Sequence, residues 1–496
     1  MANTKIPLSV ISVPLNGFNP LRSPTLAVRP LSHLVPSSTP PKIDELRRLP
    51  ELVQATHERY TRFFRTRTRT VADASLDYLS GLLIANDRTL TGLCMTVPDT
   101  RYQALQHFIT DSPWDEGGVI DQLQRDADIL IGSPAGASLH MDGSGFPKSG
   151  KSSVGVKRQY CGRLGKVDNC QVGVFLGYTN GGRRLLIDKC LYLPREWVDD
   201  PGRRAKCGVP EDAVYRSQSE LGLKMVREAK ERGLHFEWVG MDSEFGKNDE
   251  LRSAIDDESL VYVADIPSTW RVWLERPRTG ILPRRSKVGR PPSKVRVLEG
   301  EPKSIEVREL AATLPPSAWY REFLRDTERG ELWADVACLR VHPSQDKLPG
   351  KEVWLIIRKG AVDGADIKYQ LSNAPPDTSR RRLAKMSCSR YWIERAIQDA
   401  KGEAGMNEYQ VRGSRAWNHH MAMSMLAMLV LLTLQMGTKD DHHPFTVQDV
   451  RMVLGSVLPR RVLTLEEVYD EVKRRIRARE SARRSHHRRN AMKTAR

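Results

Sequence analysis

From residue 43 to about residue 128, apolar positions recur every three to four residues, with turn signals near Asn86 and Pro98, and this spacing predicts helices. From residue 129 the period shortens to two. The runs LHMD, CQVGVFLGY and RRLLIDKCLYL, separated by Gly-rich turns, read as three short strands. A helix is expected over 210–232, with acids early and Lys/Arg late, as the helix dipole prefers. The strand FEWVGMD, a short helix near 248–255 and the strand LVYVADI follow. Three strands, a helix and further strands predict an α/β core over 129–266, with Asp142 on its first strand and Asp242 ending its fourth.

Residues 267–380 interrupt that order. Pro-rich turns, the strand-like stretches SIEVREL, ELWADVACLRVH, VWLIIRK and ADIKYQLS, and a helical piece over 319–328 predict a β-rich insertion. Helices return at 379–404 and 414–436, so a second part of the core, 381–440, is expected to pack against the sheet. The apolar run 421–436 is 16 residues long and holds Ser424, Thr433 and Gln435. It is too short for a comfortable membrane span and reads as a buried core helix. Over 441–496 a capping box, Thr464 with Glu467, opens a last helix that runs into a basic tail. Residues 1–42, with eight prolines and few charges, are expected to be a disordered leader. No internal repeat is visible.

Three acids stand out against this frame. Asp142 and Asp242 each close an apolar, strand-like run, whereas Glu394 lies in the helix-favouring segment RYWIERAIQDAKGEA. In the spacing Arg390-x3-Glu394-x6-Lys401, both cations fall on the Glu394 face of a helix. Two strand-borne Asp and one helix-borne Glu supply the hard oxygen ligands of a two-metal phosphodiester site, and the flanking cations suit a DNA phosphate.

These residues resemble a family, the DDE-type transposases of the insertion-sequence branch whose third acid lies in a Tyr-x2-Arg-x3-Glu-x6-Lys motif. Arg390, Glu394 and Lys401 match, and Ser387 stands at the Tyr position. The stretches DGSGFPKSGKSSVGVKRQYCGRLGKVDNCQVGVFLGY, MDSEFGKN and GMNEYQVR are also family-like, and the resemblance runs from roughly residue 90 to 435. It implies an RNase H-like catalytic domain interrupted by a β-rich insertion, and DNA end cleavage with strand transfer by a homodimer on paired ends. It also implies two Mg²⁺ ions, replaceable by Mn²⁺, on Asp142, Asp242 and Glu394, with Arg390 and Lys401 on the DNA backbone.

A rival reading rests on GFPKSGKS (145–152), which satisfies the P-loop pattern G-x4-G-K-S, with FEWVGMDSE as a Walker B strand. A P-loop must open a helix. The chain instead continues through Gly155, Gly162 and Gly165 with β-branched Val154 and Val156, and each Gly costs roughly 1 kcal/mol against Ala in a helix. A loop and strand are expected, with Lys148, Lys151, Lys157 and Arg158 as DNA-phosphate contacts and no nucleotide cofactor. A third reading, a transposase-derived DNA-binding protein without catalysis, has all three acids and both cations against it. Glu403, nine positions past Glu394, points away from it, and His419 and His420 read as packing or DNA contacts.

Charge agrees with a polyanionic partner, double-stranded DNA. The net charge is +17 over 496 residues, with 78 Lys/Arg against 61 Asp/Glu. Arg62, Arg65 and Arg69 would form a stripe on one helical face of a DNA-binding region spanning 43–128, unless the alternating Arg-Thr of 65–70 is extended instead. Residues 473–496 carry eleven Lys/Arg and only Glu480 as an acid, and are expected to be disordered until DNA binds. A second basic stretch, 276–296, has eight Lys/Arg and no acid, and contains GRPPSK (289–294), read as a phosphate-contacting loop. Seven Cys without a CxxC pair point to reduced thiols. With Pro7 and Pro14 cutting the N-terminal apolar stretch, no signal peptide is expected and the compartment reads as cytoplasmic, while the insertion-sequence resemblance implies a nucleoid-associated protein of prokaryotic source.

Overall fold

The alternating run after Ala137 forms β1 (Ser138–Pro147), the middle strand of the core sheet. The computed structural model describes residues 43–282, 293–327, 330–360, 367–437 and 446–494. The leader 1–42 and residues 283–292 of the basic stretch, with the first four residues of GRPPSK, lie outside the described residues.

After β1 come β2 (Lys157–Cys161), β3 (Lys166–Asn180), β4 (Arg183–Leu191), β5 (Trp238–Met241) and β6 (Val261–Ile266). β1 pairs antiparallel with β3 and parallel with β5. β3 carries β2 along its first half and β4 along its second, and β5 lies parallel to β6. The order β4-β3-β1-β5-β6 is that of an RNase H-like core. β2 is the strand expected after the GFPKSGKS loop, but the count of core strands omits it, so Asp242 follows the fifth strand, not the fourth. In β3 every residue from Cys170 to Thr179 is buried, which requires cover on both faces. Helices Gln218–Glu231 and Tyr391–Gly402 both touch it. The first of these starts at Gln218 rather than at 210, because Ser217 and Glu220 form its capping box.

Residues 267–380 are β-rich, and their main strands prolong the core sheet. They comprise β7 (Arg271–Trp273), β8 (Thr279–Ile281), β9 (Val295–Val297), β10 (Ile305–Glu306), β11 (Tyr320–Thr327), β12 (Gly330–Gln345), β13 (Leu348–Pro349), β14 (Val353–Gly360) and β15 (Ile367–Ser372). β15 pairs antiparallel with β6, β14 with β15, and β12 with β14, while β8 and β9 pair separately. The helix expected over 319–328 is β11, whose backbone is satisfied by its ladder to β12; tertiary pairing overrides local propensity.

The apolar run near residue 425 becomes helix Ser414–Gly437. It is long and apolar enough to cross a membrane, yet 83% of its apolar window is buried inside the protein. Helices Leu49–Glu58, Ala72–Ile84, Tyr102–Thr110 and Glu116–Ile131 pack around it, so a helix apolar on all sides finds cover on all sides. Two expectations fail at the ends. Thr61–Phe64 is a single 3₁₀ turn, and Arg65 then bridges Thr70 in an extended segment, so Arg62, Arg65 and Arg69 share no helical face. Alternating β-branched Thr favours the extended form. The described part of the basic tail is helical: helix Leu465–Thr494 runs through it, opened by the Thr464–Glu467 box.

Candidate active site

Register alone brings the two Asp together. Met141 of β1 lies opposite Met241 of the parallel β5, so the next residues, Asp142 and Asp242, emerge side by side. Asp242 leaves its strand as the cap of the turn Ser243–Gly246, its Oδ1 accepting from the backbone N–H of Glu244 at 2.9 Å and Phe245 at 3.0 Å. Gly246 is required there, since a Cβ would lie 2.1 Å from the carbonyl oxygen of Asp265 on β6. Glu394 stands in the first turn of helix Tyr391–Gly402, which beds on β3 where Gly177 makes room for Ile393.

All three acids line one open cleft of about 780 Å³, together with Arg390, Glu244, Gln159, Tyr160, Arg163 and Gln218. Burial, then the neighbouring Asp242, with Glu394 adding to both, pushes the Asp142 carboxyl up to about 7, against the pull of Arg390. Arg390 pairs with Asp265 at 3.0 Å through Nε and with Glu394 through its terminal nitrogen. Burial disfavours its charge, but Asp265, Glu394, Asp142 and Asp242 together outweigh that and raise its pKa. Among the described residues no three His, Cys, Asp or Glu side chains converge where they could hold a metal ion. Glu394, with 51% of its side chain exposed, is turned to Arg390 instead. The donor set nevertheless suits a hard divalent cation: three carboxylates line one cleft, one of them pushed towards neutrality by burial and by its acidic neighbours.

The cations predicted to meet DNA divide into two groups. Lys401 donates to Ser144 Oγ at 2.6 Å and lies 5.2 Å from the Phe146 ring centroid; burial lowers its pKa. Lys148 is turned inward, donating to the Tyr409 carbonyl at 3.1 Å, and burial brings it down to about 8. Lys157 pairs with Glu196 at 2.8 Å, while Lys151 and Arg158 are exposed. Arg62 donates to Gln122 at 2.7 Å, Arg69 contacts His107, and Arg65 is exposed. No helix follows the GFPKSGKS run: residues 148–156 form a loop with Gly150 at φ 81° and Gly155 at φ 69°, then β2 begins. That geometry excludes a P-loop. Ser387, at the Tyr position of the resembled motif, is buried and donates to the Ala384 carbonyl at 2.8 Å. Sequence reasoning missed Asp265 and Arg163; the one signal for Asp265 is a lone acid within the strand VYVADI.

Fold and site together define an RNase H-like α/β core with acids on two neighbouring parallel strands and a third on a flanking helix. The chain belongs to the DDE superfamily endonucleases, whose family model matches residues 59–331. That segment contains Asp142 and Asp242 and ends before Glu394. The chain is also similar to the probable transposase for insertion sequence element IS701 of Microchaete diplosiphon, at 27% identity over 333 residues, 65% of this chain and 72% of that protein.

Proposed function

We propose that the protein is a transposase that cuts DNA at the ends of a mobile element and joins the freed 3′-hydroxyl to target DNA. The observation that carries this reading is the shared cleft: Asp142 on β1 and Asp242 just past the end of β5, with Glu394 lining the same cleft. The family membership and the IS701 relative support it. Asp142, Asp242 and Glu394 would hold the divalent metal, Mg²⁺ with Mn²⁺ as substitute. Bound there, the metal supplies Lewis-acid activation of the phosphate and of the attacking hydroxyl.

The chain's own residues do the rest. Glu244 and Phe245 amides fix the Asp242 carboxylate so that it meets its ligand without rotamer loss. Arg390 and Arg163, at the cleft wall, orient the phosphate backbone, and Lys401 adds positive charge beneath it. No protein nucleophile is needed. A homodimer would bring two such clefts to paired ends.

The test uses the full chain, Mg²⁺ and a duplex carrying the element's ends. Asp142→Asn, Asp242→Asn and Glu394→Gln should each abolish cutting, by more than the roughly 10–100-fold that outer-shell changes at metal sites cost, while gel-shift affinity for the duplex is kept. Variants that cut like the parent sink the mechanism. A parent that binds the ends yet never cuts them makes this a DNA-binding protein.

A further inference from the structure

Arg390 occupies an awkward place. Its side chain is 27% exposed and stands among four carboxylates, three of which are the acids assigned to the metal. A metal ion arriving at Glu394 must take that carboxylate from Arg390. The fourth acid is Asp265, the penultimate residue of β6, 16% exposed at its side chain. It accepts from Arg390 Nε at 3.0 Å through one oxygen and from Gln370 Nε2 at 2.5 Å through the other. Gln370, on β15 and nearly fully buried, spends the same amide on the Ser387 carbonyl at 3.0 Å. Asp265 is thus clamped between the insertion strand β15 and the helix end that leads into Arg390.

We propose that Asp265 is a positioning residue that holds Arg390 away from Asp142, Asp242 and Glu394 when these turn to their metal. The inference rests on the reading that those three acids are the ligands. Without Asp265 the other acids that act on the guanidinium, among the described residues, are the ligands themselves, and Arg390 becomes an internal competitor of the metal. With it, one edge of the guanidinium fork stays filled, and the other is free for a DNA phosphate once Glu394 leaves. β15 contributes through Gln370, so the insertion reaches the catalytic cleft without lining it.

Mn²⁺ binding to the full-length protein, followed by the loss of the free-ion EPR signal, tests this apart from cutting. Asp265→Asn keeps the shape but presents a donor to Arg390. It should weaken Mn²⁺ binding roughly tenfold or more, the scale of one lost charge-assisted hydrogen bond. In an Arg390→Gln background the same change should have no effect, because the competitor is gone. Equal loss in both backgrounds, as a merely structural role predicts, overturns the proposal, as does no loss in either. Asp142→Asn serves as the control. If the parent binds Mn²⁺ and Asp142→Asn does not, an unaffected Asp265→Asn overturns only the positioning role. If the parent binds no Mn²⁺, the metal reading falls and takes this one with it.

Discussion

His420 makes the stability of the protein depend on pH in a calculable way. Its ring is fully buried on helix Ser414–Gly437, with Nδ1 accepting from the Tyr78 hydroxyl at 2.7 Å and Nε2 donating to the Gly405 carbonyl at 3.2 Å. Burial, reinforced by Lys148, pushes its pKa down from 6.5 to about 4. The unfolded chain therefore binds a proton between pH 6.5 and about 4 that the folded chain refuses. Stability from this group is complete above pH 6.5 and is lost as pH falls through that window. At pH 5 the difference amounts to about 2 kcal/mol for this one residue. His420→Gln removes the titration while keeping a polar side chain. Urea midpoints of parent and variant at pH 7.5 and pH 5.0 give the answer. The parent should lose about 2 kcal/mol more than the variant over that interval, and since the other buried histidines, His57, His140 and His419, are common to both proteins, they cancel. Equal losses in parent and variant would refute the assignment of a neutral, buried imidazole.

Two further outcomes are expected. Gly246→Ala drives a Cβ into the backbone of β6 at Asp265, so it should lower stability by about 1–3 kcal/mol and cut cleavage more than end binding, since the Asp242 cap shifts; a thermal melt beside the cleavage assay reads both. Truncation after Ile476 removes eight Lys/Arg and one acid, and should flatten the plot of log binding constant against log salt by close to one unit for each phosphate no longer neutralised, without altering preference for the element's ends.

Much of the core was legible in the sequence because period-two runs and the Gly-rich breaks between them are local signals. LHMD and FEWVGMD became β1 and β5, and the Gly and Val residues after GFPKSG excluded a helix at that point. What stayed hidden depends on partners distant in the chain. β11 looked helical until its ladder to β12 is considered, and nothing local says that β15 joins β6. Arg62, Arg65 and Arg69 matched a helical spacing, but alternating Thr and the bridge from Arg65 to Thr70 set an extended backbone. The pairing of Asp265 with Arg390 was invisible for the same reason, because two residues 125 positions apart meet only through the sheet.

The helix Ser414–Gly437 also sets a timetable for folding. Tyr78 and His420, bonded in its core, are 342 positions apart, and helices from Leu49 to Ile131 pack around a segment synthesised long after them. At roughly 5–20 residues per second, the earlier helices of a growing chain wait roughly 20 to 70 seconds with their apolar faces uncovered. A prematurely terminated product never receives its centre and is left as a substrate for chaperones and proteases. Only a ribosome that has passed residue 437 can release a chain able to close its own core.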